Sequence, residues 1–232
     1  MKIVSYNTQH GFHFINKKIE LDTLAEAIAS FGADVVGLNE MRGEGIDPDY
    51  TAQTEALSAL TGMPYFYFAK AIDTKGGPYG NAILSRIPFE KVEVIPIPDP
   101  MPRGYKGYYE SRCILKATLA GGFTVLVTHF GLNPDEQESA VRTLLSVIPD
   151  EKCILMGDFN LTPENEILAP IREKLYDTAA RFDGERLSFP SDAPKRKIDY
   201  IFVSRDLAVT AADIPALVVS DHRPHSAEIS LP

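Results

Sequence analysis

Cysteine is scarce: two residues in a chain of 232 cannot build a disulfide framework. Cys113 and Cys153 both lie in apolar runs, Arg-Cys-Ile-Leu and Cys-Ile-Leu-Met, where a free buried thiol is expected rather than a soft-metal ligand. A reducing compartment is the default that follows. Long apolar runs are also missing, since no window approaches the roughly 18 residues of a membrane span. Met1 to Asn7 shows neither an extended hydrophobic region nor a small-residue cleavage site, so the expectation is a soluble, cytoplasmic protein without a membrane span. Positive charge is in deficit. The 23 Lys and Arg against 32 Asp and Glu leave a formal net charge of -9, which argues against gripping nucleic acid through a broad basic face. A polyanionic substrate has to be met locally, by a basic rim or through metal. Linkers, repeats and low-complexity stretches are lacking too, so one domain over residues 1–232 is expected.

What is present is ordinary globular material, 44% apolar and 24% charged, enough for a sizeable core. The most informative stretch is Cys153-Ile154-Leu155-Met156-Gly157-Asp158-Phe159-Asn160. Four apolar residues bounded by turn formers fit a buried strand, with Asp158 and Asn160 both able to face a cleft at its C-terminal end. Hard oxygen ligands there suit a divalent cation, while Gly, Asp and Asn fit a plain turn equally well.

Along the chain the same pattern recurs. Lys2 to Tyr6 is a strand that halts at Asn7-Thr8-Gln9-His10-Gly11. Leu21, Leu24, Ala25 and Ile28 have helical spacing up to Gly32, and Asp34 to Leu38 is a buried strand entering Asn39-Glu40. Thr51 to Leu60 reads as a helix and Tyr65-Phe66-Tyr67-Phe68 as a strand whose rings belong to the core rather than to a base-stacking platform. Gly76 to Gly80 is a turn cluster before the strand Asn81 to Arg86, and β character continues from Glu90 to Ile97. The proline-rich segment 96–110 is an irregular loop, either inert or facing substrate. Arg112 to Leu119 and Phe123 to His129 form a hairpin around Ala120-Gly121-Gly122. Asn133-Pro134-Asp135-Glu136 opens a helix with Val141, Leu144, Leu145 and Ile148 on its buried face. A short helix is expected from Thr162. Segment 175–197 is a second long loop ending in Lys195-Arg196-Lys197, a solvated run or a phosphate contact. Strands at Ile198 to Val203 and Leu207 to Ala211 and a polar loop at Ser220 to Pro224 precede a last short strand.

Asn7, Glu40, His129, Asp158, Asn160, Asp199, Asp221 and His222 each fall at or just beyond a predicted strand end, and strand ends converge on one rim of a layered fold. Seven segments in order carry a resemblance: Ser5-Tyr6-Asn7, Leu38-Asn39-Glu40, Gly80-Asn81-Ala82-Ile83-Leu84-Ser85, Val127-Thr128-His129-Phe130, Gly157-Asp158-Phe159-Asn160, Ile198-Asp199-Tyr200-Ile201 and Ser220-Asp221-His222. Together they resemble the endonuclease/exonuclease/phosphatase superfamily, which includes DNase I-like nucleases, abasic-site endonucleases, inositol polyphosphate 5-phosphatases and bacterial sphingomyelinases.

The resemblance implies an α/β (α+β) fold, a DNase I-like four-layer sandwich of two packed mixed β-sheets flanked by helices. It implies Glu40 as principal metal ligand with Asn7 beside it and Asp221 at the rim, holding one or two Mg²⁺ or Mn²⁺ ions. It implies that Asp158 orients or deprotonates the attacking water and that Asn160 holds a phosphate oxygen or completes a second metal position. His222 would contact the scissile phosphate, Asp199 would orient it and raise its pKa, and His129 would donate to a phosphate oxygen or the leaving group. Asn81 is a candidate for phosphate binding or for turn stabilisation, and Arg112 for positive potential or an internal ion pair with Glu110. Asn39 stands where many relatives carry glutamine, which weakens the expected support of Glu40. His10, His13 and His225 have no such motif.

Phosphoester cleavage by water needs a nucleophile deprotonated near neutral pH and stabilisation of phosphoryl charge, which this residue set supplies. The acidic charge and His129 favour a metal-dependent phosphoesterase acting on a small phosphodiester, a phosphomonoester or a lipid headgroup. A DNA or RNA nuclease is the alternative. A non-catalytic binding module fits less well, because the water-activating residues are all present.

Overall fold

The computed structural model describes residues 1–231. Two six-stranded mixed sheets pack face to face, with helices on their outer faces. Sheet one has the order β11-β12-β1-β2-β4-β3 and contains β1 (Lys2–Asn7), β2 (Val35–Arg42), β3 (Tyr65–Asp73), β4 (Pro78–Ser85), β11 (Ala208–Asp213) and β12 (His225–Ser230). Sheet two has the order β5-β6-β7-β8-β10-β9 and contains β5 (Phe89–Ile97), β6 (Arg112–Leu119), β7 (Thr124–His129), β8 (Cys153–Asp158), β9 (Tyr176–Asp177) and β10 (Asp199–Val203). Each sheet has one parallel pair, β1 with β2 and β7 with β8, so four strands deliver their C-terminal ends to the same edge.

Period-two alternation sorts the side chains into layers. Ile3, Val35, Ile83, Leu115, Val127, Ile154, Met156 and Ile201 fill the space between the sheets. Their neighbours Val4, Tyr6, Val36 and Leu38 face α1 (Leu21–Ser30) and α2 (Gln53–Thr61), with Leu24, Ile28 and Leu57 opposite. Leu126, Leu155, Tyr200 and Phe202 face α3 (Pro134–Val147) and α4 (Ala169–Lys174). α3 starts as its sequence requires: the Glu136 carboxylate reaches back to accept the Asn133 backbone N–H at 3.1 Å, with Pro134 in the first turn.

Several boundaries differ from the sequence reading. β2 continues through Asn39-Glu40 to Arg42 by means of a bulge, the register against β4 slipping between Leu38 and Met41. β4 begins at Pro78, inside the expected turn cluster. The helix expected from Thr162 is a 3-10 turn at Glu166–Leu168 that leads into α4. Segment 175–197 is only partly irregular, because it contains β9, a 3-10 turn at Thr178–Arg181 and a bridge between Phe189 and Arg196. The rings of Tyr65, Phe66 and Tyr67 are not core: β3 is a sheet edge, and each is more than a third exposed.

Candidate active site

The strand ends do converge. Glu40 sits in the bulge of β2 with a φ of 63°. That conformation is costly for a side chain with a Cβ, and a bulge is a common way to re-aim one. One Glu40 carboxylate oxygen accepts from Asn7 Nδ2 at 3.1 Å and the other from the Tyr79 hydroxyl at 2.9 Å. Asn7 Nδ2 also donates to Asp158 Oδ2 at 3.0 Å, so a single carboxamide ties the two carboxylates together. Its oxygen accepts the Gln9 N–H at 3.2 Å. Asn7, expected as a metal ligand, thus bridges the two carboxylates through its nitrogen, and its oxygen accepts one backbone N–H.

Asp158 closes β8 and is fully buried. Gly157 precedes it at a φ of 147°, where a Cβ would run into the Thr128 carbonyl of β7. Asp158 Oδ1 accepts the Asn160 N–H at 2.9 Å, and Asp158 Oδ2 lies 3.6 Å from Nε2 of both His222 and His129. Burial pushes its carboxyl up to about 7; the His222 charge opposes this and Asp199 adds to it.

The two imidazoles carry different protonation states. His222 Nδ1 is bonded to Asp199 Oδ2 at 2.9 Å. Burial alone would lower His222, but Asp199 and then Asp158 outweigh it and hold the ring up at about 10, as imidazolium. His129 is driven well below its ordinary value by burial and by the nearby charges of Arg112 and His222, and so is neutral. Arg112 Nη1 lies 3.0 Å from His129 Nδ1, and a guanidinium can only donate. The proton of His129 therefore resides on Nε2, facing Asp158. The 3.3 Å approach of Asn160 Nδ2 to that atom is then a contact between donors, while Asn160 Nδ2 donates to the Phe130 carbonyl at 3.1 Å. Arg112 also pairs with Glu110 at 2.8 Å, and its Nε is buried without a partner among the described residues.

Asp221 stands half-buried beside His222, with its Oδ1 accepting from the Ser220 hydroxyl at 3.0 Å. Asn81, a candidate for phosphate binding or for turn stabilisation, is committed internally: its nitrogen donates to the Cys113 carbonyl at 3.0 Å and its oxygen accepts from Asn39 at 2.8 Å. Asn39 does not support Glu40. It donates also to the Thr128 carbonyl at 2.9 Å and accepts the Asp158 N–H at 3.0 Å, sewing the two sheets together beneath the site. Tyr79 is a contributor that the sequence reading missed, because it reads there as part of a glycine-rich turn.

The donor set fits a hard divalent cation. Glu40 is half-exposed at the cleft, and Asp199 Oδ1 is buried with no partner among the described residues. One ligand atom each from Asp158, Asp199 and His222 lies within 4.8 Å of the others, a second group that could hold an ion. His222 is bonded to Asp199 there through Nδ1, an arrangement that also suits an acid–base unit.

Known proteins share the fold and the sequence pattern. Over 250 aligned residues the chain is 27% identical to uncharacterised protein YbhP of Escherichia coli strain K12, covering 99% of this chain and 96% of that one. Its fold matches the crystal structure of an endonuclease/exonuclease/phosphatase from Beutenbergia cavernae with a TM-score of 0.81 at 21% identity, over 100% of this chain and 71% of the other. It matches the Bacteroides thetaiotaomicron mannosyl-6-phosphatase with a TM-score of 0.78 at 15% identity, over the full length of both. The sequence pattern of one family runs through residues 4–222, and the chain belongs to it: the Endonuclease/Exonuclease/phosphatase family.

Proposed function

We propose that the protein is a divalent-metal-dependent phosphoesterase that hydrolyses a phosphomonoester or phosphodiester of a small molecule or lipid headgroup. The observation that carries this reading is the position of Asp158, 3.6 Å from a cationic His222 on one side and from a neutral His129 on the other. A carboxylate held up near 7 is matched to accepting a proton from water at neutral pH.

Each residue has a definite task. Asp158 orients the attacking water and takes its proton. His222, fixed by Asp199, offers its Nε2–H and its positive charge to a phosphoryl oxygen. His129 offers its Nε2–H to a second phosphoryl oxygen or to the leaving oxygen, in the tautomer set by Arg112. Asn160 binds a phosphoryl oxygen. Asn7 holds Glu40 and Asp158 at a fixed separation. Glu40 is the carboxylate we assign to Mg²⁺ or Mn²⁺, with Asp221 at the rim; one or two ions are compatible with the donors. When bound, the ion supplies Lewis acidity at the phosphoryl group.

Nuclease action is the second reading, and the net charge of -9 counts against it. The mannosyl-6-phosphatase shows that this fold carries phosphatase chemistry in that protein. The test is a panel of sugar phosphates, sphingomyelin, inositol phosphates, nucleotide esters, abasic DNA and single-stranded RNA, run with Mg²⁺, Mn²⁺ and EDTA. Turnover of a small ester that EDTA abolishes supports the proposal, whereas far higher rates on nucleic acid overturn the substrate class.

A further inference from the structure

Phe189 packs its ring 4.8 Å from His222, and the Arg196 guanidinium lies 5.1 Å from the same ring. The cation is thus no farther from the imidazole than these two legs together. The loop that carries it is laced to the site. Ser188 Oγ accepts the backbone N–H groups of Ile198 and Asp199, the Ser191 N–H donates to the Asp221 carbonyl, and the Arg223 N–H donates to the Ser188 carbonyl. Backbone bonds between Phe189 and Arg196 close it on itself. The loop that is bonded to the backbone at Asp199 and Asp221 therefore also carries a run of positive charge.

That charge lines a cavity of about 260 Å³ whose wall includes Thr162, Arg186, Lys195, Arg196 and Lys197. Thr162, two residues beyond Asn160, is part of the same wall. Two carboxylates, Glu164 and Glu185, share the lining, and Arg186 is already tied to Asp213 at 2.7 Å. Among the described residues neither Lys195 nor Arg196 forms an ion pair, and both are exposed. Lys197 is buried; its ammonium sits over the Tyr200 ring, 3.9 Å from Asp177, without a hydrogen-bond partner. In a chain with a net charge of -9, two exposed cations without an ion pair among the described residues, on a loop bonded to the backbone at Asp199 and Asp221, call for an anion.

We propose that this basic cavity is a second anion subsite, which takes a phosphate group carried by the substrate beyond the ester that is cleaved. The substrate class is then a doubly phosphorylated small molecule or headgroup, and the proposal rests on the phosphoesterase reading. Arg196 offers a planar fork to the second phosphate and Lys195 a mobile point charge. Their contribution is to binding and orientation, so it appears in KM more than in kcat.

The test compares fructose 6-phosphate with fructose 1,6-bisphosphate, and dioctanoyl phosphatidylglycerol with dioctanoyl phosphatidylglycerol phosphate, in the parent protein, in Lys195→Ala/Arg196→Ala and in Arg196→Lys. In one pair or the other the parent is expected to prefer the doubly phosphorylated member by about tenfold or more in kcat/KM, the worth of one hydrogen bond to a charged group. The pair that shows the preference identifies a soluble or a lipid source. The double variant is expected to lose about tenfold more on that member than on its partner, mainly through KM, with partial recovery in Arg196→Lys. Equal loss on both members, no preference in the parent, or a preference for an oligonucleotide that the same variant removes would overturn it. Calorimetric titration of inorganic phosphate in EDTA reads the cavity without turnover. An affinity that falls about tenfold in the double variant supports the subsite even if no ester is cleaved, in which case the phosphoesterase reading alone fails; an unchanged affinity rejects the subsite.

Discussion

At the scale of single residues, protonation state and tautomer decide what each group can do. Arg112 is the clearest case, since its donation to His129 Nδ1 places the ring proton on the atom that faces the cleft. Arg112→Gln is expected to release that tautomer and to lower turnover by roughly 10- to 100-fold, the size usual for a lost orienting partner. The ¹⁵N shifts of His129 check it directly: a mixed tautomer in the variant is expected, and an unchanged Nε2–H form would remove Arg112 from this role. The two thiols provide a plainer check. Burial raises Cys113 to about 11 and Cys153 to about 12, so neither is expected to react with iodoacetamide at pH 8 until the chain unfolds. Modification of the native protein, detected by mass, would contradict their placement.

At the scale of elements, the site depends on how closely two strands can approach. Gly157 lets β8 lie against the Thr128 carbonyl of β7 while holding Asp158 at the strand end. Gly157→Ala adds a Cβ at a φ of 147° against backbone that cannot move without breaking the parallel ladder, and a loss of about 3 kcal/mol or more is expected. Urea unfolding measures it, and a loss under about 1 kcal/mol would show that the strands can part there. Most strand ends were legible in the sequence because apolar alternation stops at Asn, Asp, Glu or His, and Asn7, Glu40, His129, Asp158 and Asp199 do come together there. Continuation of β2 through its bulge was not legible, since Asn39-Glu40 has the composition of a loop and only pairing with β4 keeps it in the sheet. Likewise β9 and the 3-10 turn after it are too short for any periodicity to announce them.

For the whole molecule, the legible part of the site is the set of residue types, and the illegible part is their wiring. Asn39 reaches Asp158 across 119 positions, and Asn81 meets Cys113 across 32, distances over which a local pattern carries no information. Asn7 joins Glu40 to Asp158 through one nitrogen, a bridge over 33 and 151 positions that no local pattern announces. Global acid sensitivity follows from buried histidines. Burial, assisted by Arg42, lowers His10 to about 4, and burial drives His129 and His225 well below their ordinary value of 6.5. These three fold neutral, so below pH 6.5 the unfolded chain binds protons that the folded chain does not. Stability then falls with pH by up to about 1.4 kcal/mol per unit for each group, down to its folded pKa. Asp158, raised to about 7, works in the opposite direction and offsets one of them as pH falls from 7. His222, raised to about 10, contributes fully below pH 6.5 and loses that contribution only as pH rises through 10. In EDTA the unfolding free energy is expected to drop between pH 6 and 5, and His10→Gln to make the drop shallower by about one proton; a flat profile would mean that these rings are charged in the fold.

The central claim is that Asp158 and His222 act together on a phosphoester beside a cation held by Glu40. Hydrolysis of bis(4-nitrophenyl) phosphate in Mg²⁺, Mn²⁺ and EDTA, by the parent and by Asp158→Ala, His222→Ala and Glu40→Gln, tests it most directly. The expected result is metal-dependent turnover that each substitution lowers by about a thousandfold or more, with the far-UV spectrum unchanged. Turnover that survives Asp158→Ala and His222→Ala at the parental rate would contradict the claim.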